Sequence, residues 1–182
     1  MRKNYFLRSV FLLTALLCGS LFGWSQTYEY TGTGTFEKIT SVDDLETGYY
    51  VITADNKAMQ SILSRKINTE IVSFNDDYSV VTDPQVAAVW KIESIGEGKY
   101  CLLNSSEKYL KYGSSTNFVN TGGDINDEKS QYTISYNNGF IIANVATSDR
   151  CILFNSAGQF APYSKQNIGA NGYTTPQLYK LK

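Results

Sequence analysis

The chain has 182 residues, no histidine and a formal net charge of −1, and 42% of its residues are hydrophobic. That hydrophobic content is typical of a folded protein and excludes a disordered one. The absence of histidine excludes Ser-His-Asp and Cys-His nucleophiles, histidine general bases and histidine-bound zinc. The low net charge argues against nucleic acid as a partner, because nucleic-acid binders rely on a basic surface.

The first 25 residues have the features of a secretory signal peptide of the Gram-negative bacterial type. A basic start precedes an apolar run at residues 10–22, and small residues follow it; the basic and small residues are Arg2, Lys3, Arg8, Gly23 and Ser25. We expect cleavage after Ser25 and a secreted or periplasmic protein with no stable membrane insertion. The alternatives are a retained N-terminal anchor and lipidation of Cys18. Without its three basic residues the chain keeps 13 basic and 17 acidic residues, a net charge of −4.

Residues 26–35 are rich in Thr and Gly, and we interpret them as a linker or a first edge strand before a domain at residues 36–182. Their Gly-x-Gly is not a phosphate loop, because no lysine follows at the required spacing. Residues 41–45, SVDDL, are the best helical candidate, a single turn that Ser41 could cap.

From residue 36 onward, short alternating apolar runs are separated by clusters of Gly, Asn, Asp and Ser, as in strands joined by turns. These runs form an internal repeat. Three segments open alike: GYYVITA at Gly48–Ala54, GKYCLLN at 98–104 and NGFIIAN at 138–144. A second run follows each opening: KAMQS at 57–61, KYLKY at 108–112 and RCILF at Arg150–Phe154. A third strand is predicted at 117–119 and 159–161 and, less regularly, at 67–74.

Each repeat closes with a further strand: VWKIE at 89–93, QYTIS at 131–135 and LYKLK at 178–182. Openings and closings both carry an aromatic residue two positions before an aliphatic one. Because side chains alternate along a strand, the two residues share a face, and we predict that face to be the core. The aromatic residues are Tyr50, Tyr100 and Phe140 in the openings and Trp90, Tyr132 and Tyr179 in the closings.

Four short strands repeated three times predict twelve strands around one core, because a single repeat cannot bury its apolar face alone. Six strands would close a barrel and six would cap it, which removes most exposed edges. The aromatic-x-aliphatic closings, as in VWKI and QYTI, resemble those of the β-trefoil superfamily, above all its ricin-B-like and fascin-like modules. The entry segment at residues 40–50 also resembles accessory β-trefoil domains secreted by Gram-negative gut bacteria. We therefore predict an all-β protein, a β-trefoil of three pseudo-repeats.

The resemblance to ricin-B-like modules implies sugar binding by an acid, an aromatic residue and an amide within one repeat. Exposed tyrosine can stack on a sugar ring while amides bond its hydroxyls. The second repeat offers Asn104, Tyr112 and Asn117, and the third offers Asn144, Asn155 and Tyr163. Neither has an Asp directly after its first strand, where the family's sugar-binding acid falls. We predict a non-enzymatic recognition module for a glycan; the alternative is an extracellular protein partner, bound by an inhibitor or surface ligand.

Three acidic clusters are the remaining candidates for chemistry: Asp43 and Asp44; Asp76, Asp77 and Asp83; Asp124, Asp127 and Glu128. A glycoside hydrolase needs two carboxylates across a cleft, and such a histidine-free hydrolase is the less favoured alternative to acids that shape turns. Residues 122–130 lack the Gly and Glu that an EF-hand loop requires. We predict no metal site and no cofactor. Cys101 and Cys151 could form a disulfide or remain two thiols.

Overall fold

The computed structural model describes residues 27–63, 66–113, 117–170 and 172–182. The predicted signal peptide and Cys18 lie outside these residues. None of the helices in the described ranges has the length and apolar character to cross a membrane. The strands are β1 Thr35–Ile39, β2 Gly48–Ala54, β3 Lys57–Leu63, β4 Lys66–Ile71, β5 Val80–Thr82, β6 Val89–Gly96, β7 Lys99–Leu103, β8 Leu110–Tyr112, β9 Val119–Thr121, β10 Gln131–Tyr136, β11 Phe140–Asn144, β12 Arg150–Phe154, β13 Phe160–Ser164 and β14 Gln177–Leu181. Single 3-10 turns lie at Val42–Asp44, Val86–Ala88, Glu128–Ser130 and Lys165–Asn167.

Twelve of these strands form three repeats, as predicted. The opening and closing strands of each repeat pair in the antiparallel order β14, β2, β6, β7, β10, β11. The ring closes where the backbone N–H of Phe140 donates to the carbonyl of Pro176, at 2.7 Å. The other six strands form the hairpins β3–β4, β8–β9 and β12–β13. β1 and β5 are additional strands, which extend the sheet beyond β14.

The barrel is filled by the aromatic and aliphatic positions of the repeat. Tyr50, Trp90, Tyr132 and Phe140 are almost completely buried in one cluster together with Ile52, Ile92 and Ile142, and Ile134 packs against this cluster while partly exposed. The indole N–H of Trp90 donates to the carbonyl of Met59 at 2.7 Å, so its polar atom is satisfied inside the core. The expected barrel position of Trp90 is therefore confirmed.

Tyr179 is the exception, and its predicted equivalence to Trp90 and Tyr132 is wrong. Leu178 pairs with Ile52 and faces the barrel, whereas Tyr179 lies in a second cluster with Val51 on the outer side of β2 and β14. The reason is that this outer side is covered as well, so both faces of β14 are buried. With two buried faces, alternation no longer identifies the inner one.

Residues 27–39 help to cover that outer side. No strand forms in residues 27–34, and β1 lies between β14 and β5. Tyr30 is buried in the second cluster, and its hydroxyl donates to the carbonyl of Pro84 at 3.0 Å. The predicted turn follows at Val42–Asp44, where Ser41 Oγ accepts from the backbone N–H of Asp43.

Both described cysteines are free and buried. Cys101 lies on β7 and Cys151 on β12, and β10 and β11 separate these strands in the sheet. The disulfide alternative therefore does not apply in this structure. Burial raises the pKa of Cys101 to about 12 and that of Cys151 to about 11, so neither thiol is a reactive nucleophile at neutral pH.

Candidate functional site

The six predicted site residues do not gather in one pocket. Tyr112 and Tyr163 were expected to be exposed, and that expectation is wrong, since both are buried. Tyr163 packs in a third apolar cluster with Cys151 and Leu153, and its ring contacts Tyr173 edge-on at 4.7 Å. Both are buried although each lies near a turn, so neither ring is open to a sugar.

Asn104 and Asn144 stabilise the backbone. Asn104 Oδ1 accepts from the backbone N–H groups of Ser106 and Lys108, both at 3.0 Å, and so shapes the turn after β7. Asn144 Nδ2 lies 2.9 Å from the carbonyl of Lys129 and 3.1 Å from that of Gln131. Both side chains are buried, which fits these roles better than contact with a ligand.

Asn117 lies at the tip of the β8–β9 hairpin in a left-handed backbone conformation, with φ at +58°. Its Oδ1 accepts from Arg150 Nη1 at 3.4 Å, so the amide bonds the first residue of β12. Arg150 also lies 3.7 Å from the carboxylate of Asp149. The side chain of Asn117 is thus used within the protein.

Asn155 is the predicted site residue that lies in a surface groove. We call it the Asp55 groove; its volume is about 230 Å³. The turn after β2, the tip of the β12–β13 hairpin and the segment before β14 form its walls. The lining residues are Asp55, Lys57, Phe154, Asn155, Ser156, Ala157, Gly158, Gly172 and Thr174.

Asp55 provides the carboxylate of this groove. It occupies the turn between β2 and β3 with φ at +52°, a conformation that Asp adopts more readily than most residues. The side chain is exposed and has no hydrogen bond or ion pair with the described residues. Asp55 directly follows the first strand of the first repeat. The sequence does contain this signal, since an Asp directly after the first strand of a repeat is where the ricin-B-like resemblance places a sugar-binding acid.

Lys57 provides the opposite charge. Its ammonium lies 6.0 Å from the ring centroid of Phe154, and it forms no ion pair within the described ranges. The side chain crosses Gly158, which has φ at +75°, and a side-chain carbon at this glycine would collide with Lys57 Nζ. Glycine suits the left-handed backbone here, and a side chain at this position would require the flexible end of Lys57 to shift.

Asn155 is held by the hairpin and by Tyr163. Its Oδ1 accepts from the backbone N–H of Gln159 at 3.0 Å, and its Nδ2 donates to Tyr163 Oη at 2.7 Å. Burial raises the pKa of Tyr163, so its phenol stays protonated in neutral solution. An amide has two donor hydrogens and two acceptor lone pairs, so Asn155 retains one of each for a ligand.

Two larger grooves contain ion pairs, although Lys38 and Asp44 in the first of them form none with the described residues. The groove between β1 and β14, of about 440 Å³, contains the ion pairs Lys180–Glu46 at 2.6 Å and Lys182–Glu37 at 2.7 Å. The groove beside β7 and β10, of about 320 Å³, contains the pair Lys99–Glu97. In the Asp55 groove the charged side chains are not paired with each other, which makes it the candidate site despite its smaller size.

The acidic clusters shape turns. Asp77, Asp124 and Asp127 each accept from the backbone N–H two residues further on, at 2.9–3.0 Å. The Lys111 ammonium beside Asp127 and the backbone N–H of Lys129 hold the pKa of its carboxyl below the usual range. The described residues contain no group of three His, Cys, Asp or Glu side chains that could hold a metal ion.

No protein-family model matches the sequence, and no curated protein matches it. Solved structures do. A Polyporus squamosus lectin, solved with a human-type influenza-binding epitope, superposes with a TM-score of 0.58 and 18% identity, over 75% of this chain and 50% of the lectin. An endo-β-galactosidase from Clostridium perfringens superposes with a TM-score of 0.58 and 16% identity, over 74% of this chain and 32% of the enzyme. A protein titled BEL β-trefoil superposes with a TM-score of 0.51 and 14% identity, over 76% of this chain and 95% of that protein.

These likenesses confirm the all-β, β-trefoil fold predicted from the repeats. The chain spans half the length of the lectin and about a third of the endo-β-galactosidase. At such identities the comparison concerns the fold, and the same fold carries many functions. The function therefore has to be argued from the Asp55 groove.

Proposed function

We propose that this protein is a non-enzymatic recognition module that binds a glycan in the Asp55 groove. The observation that carries the proposal is the pair of opposite charges there, Asp55 and Lys57, neither of which forms an ion pair with the described residues. A carboxylate only accepts hydrogen bonds and an ammonium only donates them, whereas a hydroxyl does both. A polyhydroxylated ligand can therefore satisfy Asp55 and Lys57 together. An anionic ligand would be repelled by Asp55, and a cationic one by Lys57.

The other walls support the same ligand class. Asn155 retains a donor and an acceptor, and a groove of about 230 Å³ suits one sugar ring. Trp90, the strongest stacking residue of the domain, is buried, so affinity would rest on hydrogen bonds. Among the proteins of similar fold is a lectin that was solved with a glycan. The signal peptide predicted at residues 1–25 would deliver the module to the periplasm or the cell exterior.

A glycan array followed by titration tests the proposal. We expect the protein to bind at least one oligosaccharide on the array, and Asp55→Asn to weaken binding of that oligosaccharide at least tenfold. Asparagine is tolerated at positive φ, so this variant should keep the turn. Asp76→Asn is the matched control, because Asp76 is an exposed loop acid outside the groove. A folded protein that binds nothing, or an unchanged affinity in Asp55→Asn, would contradict the proposal.

A second candidate function is protein recognition by the loop at residues 75–79. Tyr78 is 60% exposed, and its ring contacts Phe74, which in turn contacts Tyr179. Asn75 Oδ1 accepts from the backbone N–H groups of Ser79 and Val80, both at 2.9 Å, so the loop is well ordered. A fixed exposed tyrosine is a frequent anchor of protein interfaces. Under this function Tyr78→Ala abolishes cross-linking to a secreted or surface protein without altering glycan binding.

A further inference from the structure

Ile71 is the most exposed of the large hydrophobic residues in the described structure, at 71%. It ends β4 and is the cross-strand partner of Lys57 at the start of β3. Directly opposed residues of an antiparallel pair project from the same face, with their Cβ atoms about 5 Å apart. The side chain of Ile71 therefore stands beside the stem of Lys57.

The face shared by Ile71 and Lys57 adjoins the Asp55 groove, because Lys57 is one of the residues that line it. Thr69, two residues before Ile71, shares its face because side chains alternate along a strand. Thr69 Oγ1 donates to the carbonyl of Gly158 at 3.4 Å, and Gly158 is also the residue that Lys57 crosses. Lys57 and Thr69 thus both contact the hairpin tip that lines the groove, and Ile71 is the next side chain outward from both. It lies just beyond the residues that line the groove, as an exposed apolar side chain next to Lys57.

We infer that Ile71 selects the ligand of this groove by contact with a methyl group of the sugar, either a 6-deoxy methyl or the methyl of an N-acetyl group. The inference rests on the proposed glycan function. An isoleucine side chain can neither donate nor accept a hydrogen bond, so a hydroxyl placed against it loses its water without compensation. A methyl group at the same place buries apolar surface on both sides.

Two pairs of sugars test the inference, each pair differing at the methyl group. L-fucose and L-galactose differ by the 6-hydroxyl, and N-acetylglucosamine and N-formylglucosamine differ by one methyl. We expect the wild type to prefer the methyl-bearing member of one pair about tenfold in titration, as one methyl group typically contributes. The pair that shows the preference identifies the source of the methyl group.

Ile71→Thr keeps a β-branched residue on the strand and places a hydroxyl beside the groove. We expect it to abolish the preference while leaving the affinity for the other member of the pair unchanged. Val42→Thr, at an exposed aliphatic residue outside the groove, is the matched control and should keep the preference.

The two proposals fail in different ways. If glycans bind and Asp55→Asn weakens them, but the wild type has no methyl preference or Ile71→Thr retains it, the inference is wrong and the glycan function stands. If the folded protein binds neither these sugars nor any glycan of the array, both are wrong.

Discussion

Two hairpin tips of this β-trefoil each contact a basic residue from another repeat. In both cases that residue is the first one of the other repeat's second strand, but the two contacts differ. At the β8–β9 tip, Asn117 bonds Arg150. At the β12–β13 tip the equivalent left-handed residue is Gly158, and Lys57 crosses it without an ion pair among the described residues. The backbone geometry is alike, and one side chain decides whether the cation is held by the protein or left for a ligand. We call Arg150 with Asn117 and Asn144 the closed position, and Lys57 with Gly158 and Asp55 the open position.

The turns beside these cations differ in the same sense. Asp55 is exposed and unpaired, whereas the residue that ends the first strand of the third repeat, Asn144, is buried and caps backbone carbonyls. Tyr132 is the cross-strand partner of Asn144, and Tyr163 Oη accepts from Asn155, which lines the Asp55 groove. Asp55 and Asn144 are not equivalent in the repeat, but the two hairpin tips are, so an internal repeat can leave one tip open for binding while the equivalent tip is bonded within the protein.

Raising the pH above about 10 should have the largest effect on stability. Burial, with a smaller contribution from Cys101, holds the pKa of Tyr132 well above its ordinary value of about 10, and burial also raises the pKa of Tyr163. The unfolded chain releases the thiol protons of Cys101 and Cys151 from about pH 9 and its phenolic protons from about pH 10, before the folded chain does, so the free energy of unfolding falls as the pH rises through this range. Denaturant titrations at pH 8 and pH 11 measure this.

Two tyrosine variants compare the open and closed positions under these conditions. Tyr132 is fully buried and Tyr163 less so, so Tyr132→Phe should remove more of the alkaline loss than Tyr163→Phe. Equal stability at pH 8 and pH 11 would contradict the burial of these phenols.

The Asn144→Ala variant should have the next largest effect. It removes the donor that lies 2.9 Å from the carbonyl of Lys129 and 3.1 Å from that of Gln131, and it leaves these groups without that partner. Losing such a buried donor typically costs about 2 kcal/mol of the free energy of unfolding. Asp55→Asn, at the open position, should stay within about 0.5 kcal/mol of the wild type. If chemical denaturation gave similar losses of unfolding free energy for the two variants, the proposed difference between the closed and the open position would be wrong.

The fold could be predicted from the sequence because, in a barrel strand with one buried face, apolar residues recur at every second position. Tyr50, Trp90 and Phe140 follow this period. The prediction was wrong at Tyr179, where Tyr30, Phe36 and Val81 pack in the same cluster on the outer side of β14. Local sequence does not reveal that a segment distant in the chain packs over a strand. The sequence therefore could not show that Leu178, and not its neighbour Tyr179, faces the barrel.

The candidate site was harder to predict because burial depends on what packs over a turn. Tyr112 and Tyr163 lie near turns in the sequence but are covered in the structure. Asn155 lies in the groove, and Asp55, the acid that faces it, comes from a different repeat. A search confined to the residues of one repeat cannot find a groove formed between two. The exposed tyrosine, Tyr78, lies in an insertion that has no counterpart in the predicted repeat.

The Gly158→Asn variant converts the open position into the closed one. Asparagine tolerates the left-handed conformation, and its amide oxygen would accept from Lys57 as Asn117 does from Arg150. We expect about a tenfold loss of affinity, equivalent to about 1.4 kcal/mol, for the glycan identified on the array. The reverse variant, Asn117→Gly, should leave that affinity unchanged. Undiminished binding by Gly158→Asn would show that Lys57 does not contact the ligand.

Arg150→Ala should have the smallest effect. Arg150 is partly exposed, and its contacts with Asn117 at 3.4 Å and Asp149 at 3.7 Å are long. Ion pairs of this kind contribute about 0.5 kcal/mol or less to the free energy of unfolding. Glycan affinity should not change, because Lys57 and Asp55 belong to the other position. In this variant Asn144 still lies beside its backbone carbonyls, so we expect no second sugar site to form. Titration should therefore give one site per chain, as in the wild type. A second bound sugar would mean that Arg150 by itself prevents binding at the closed position.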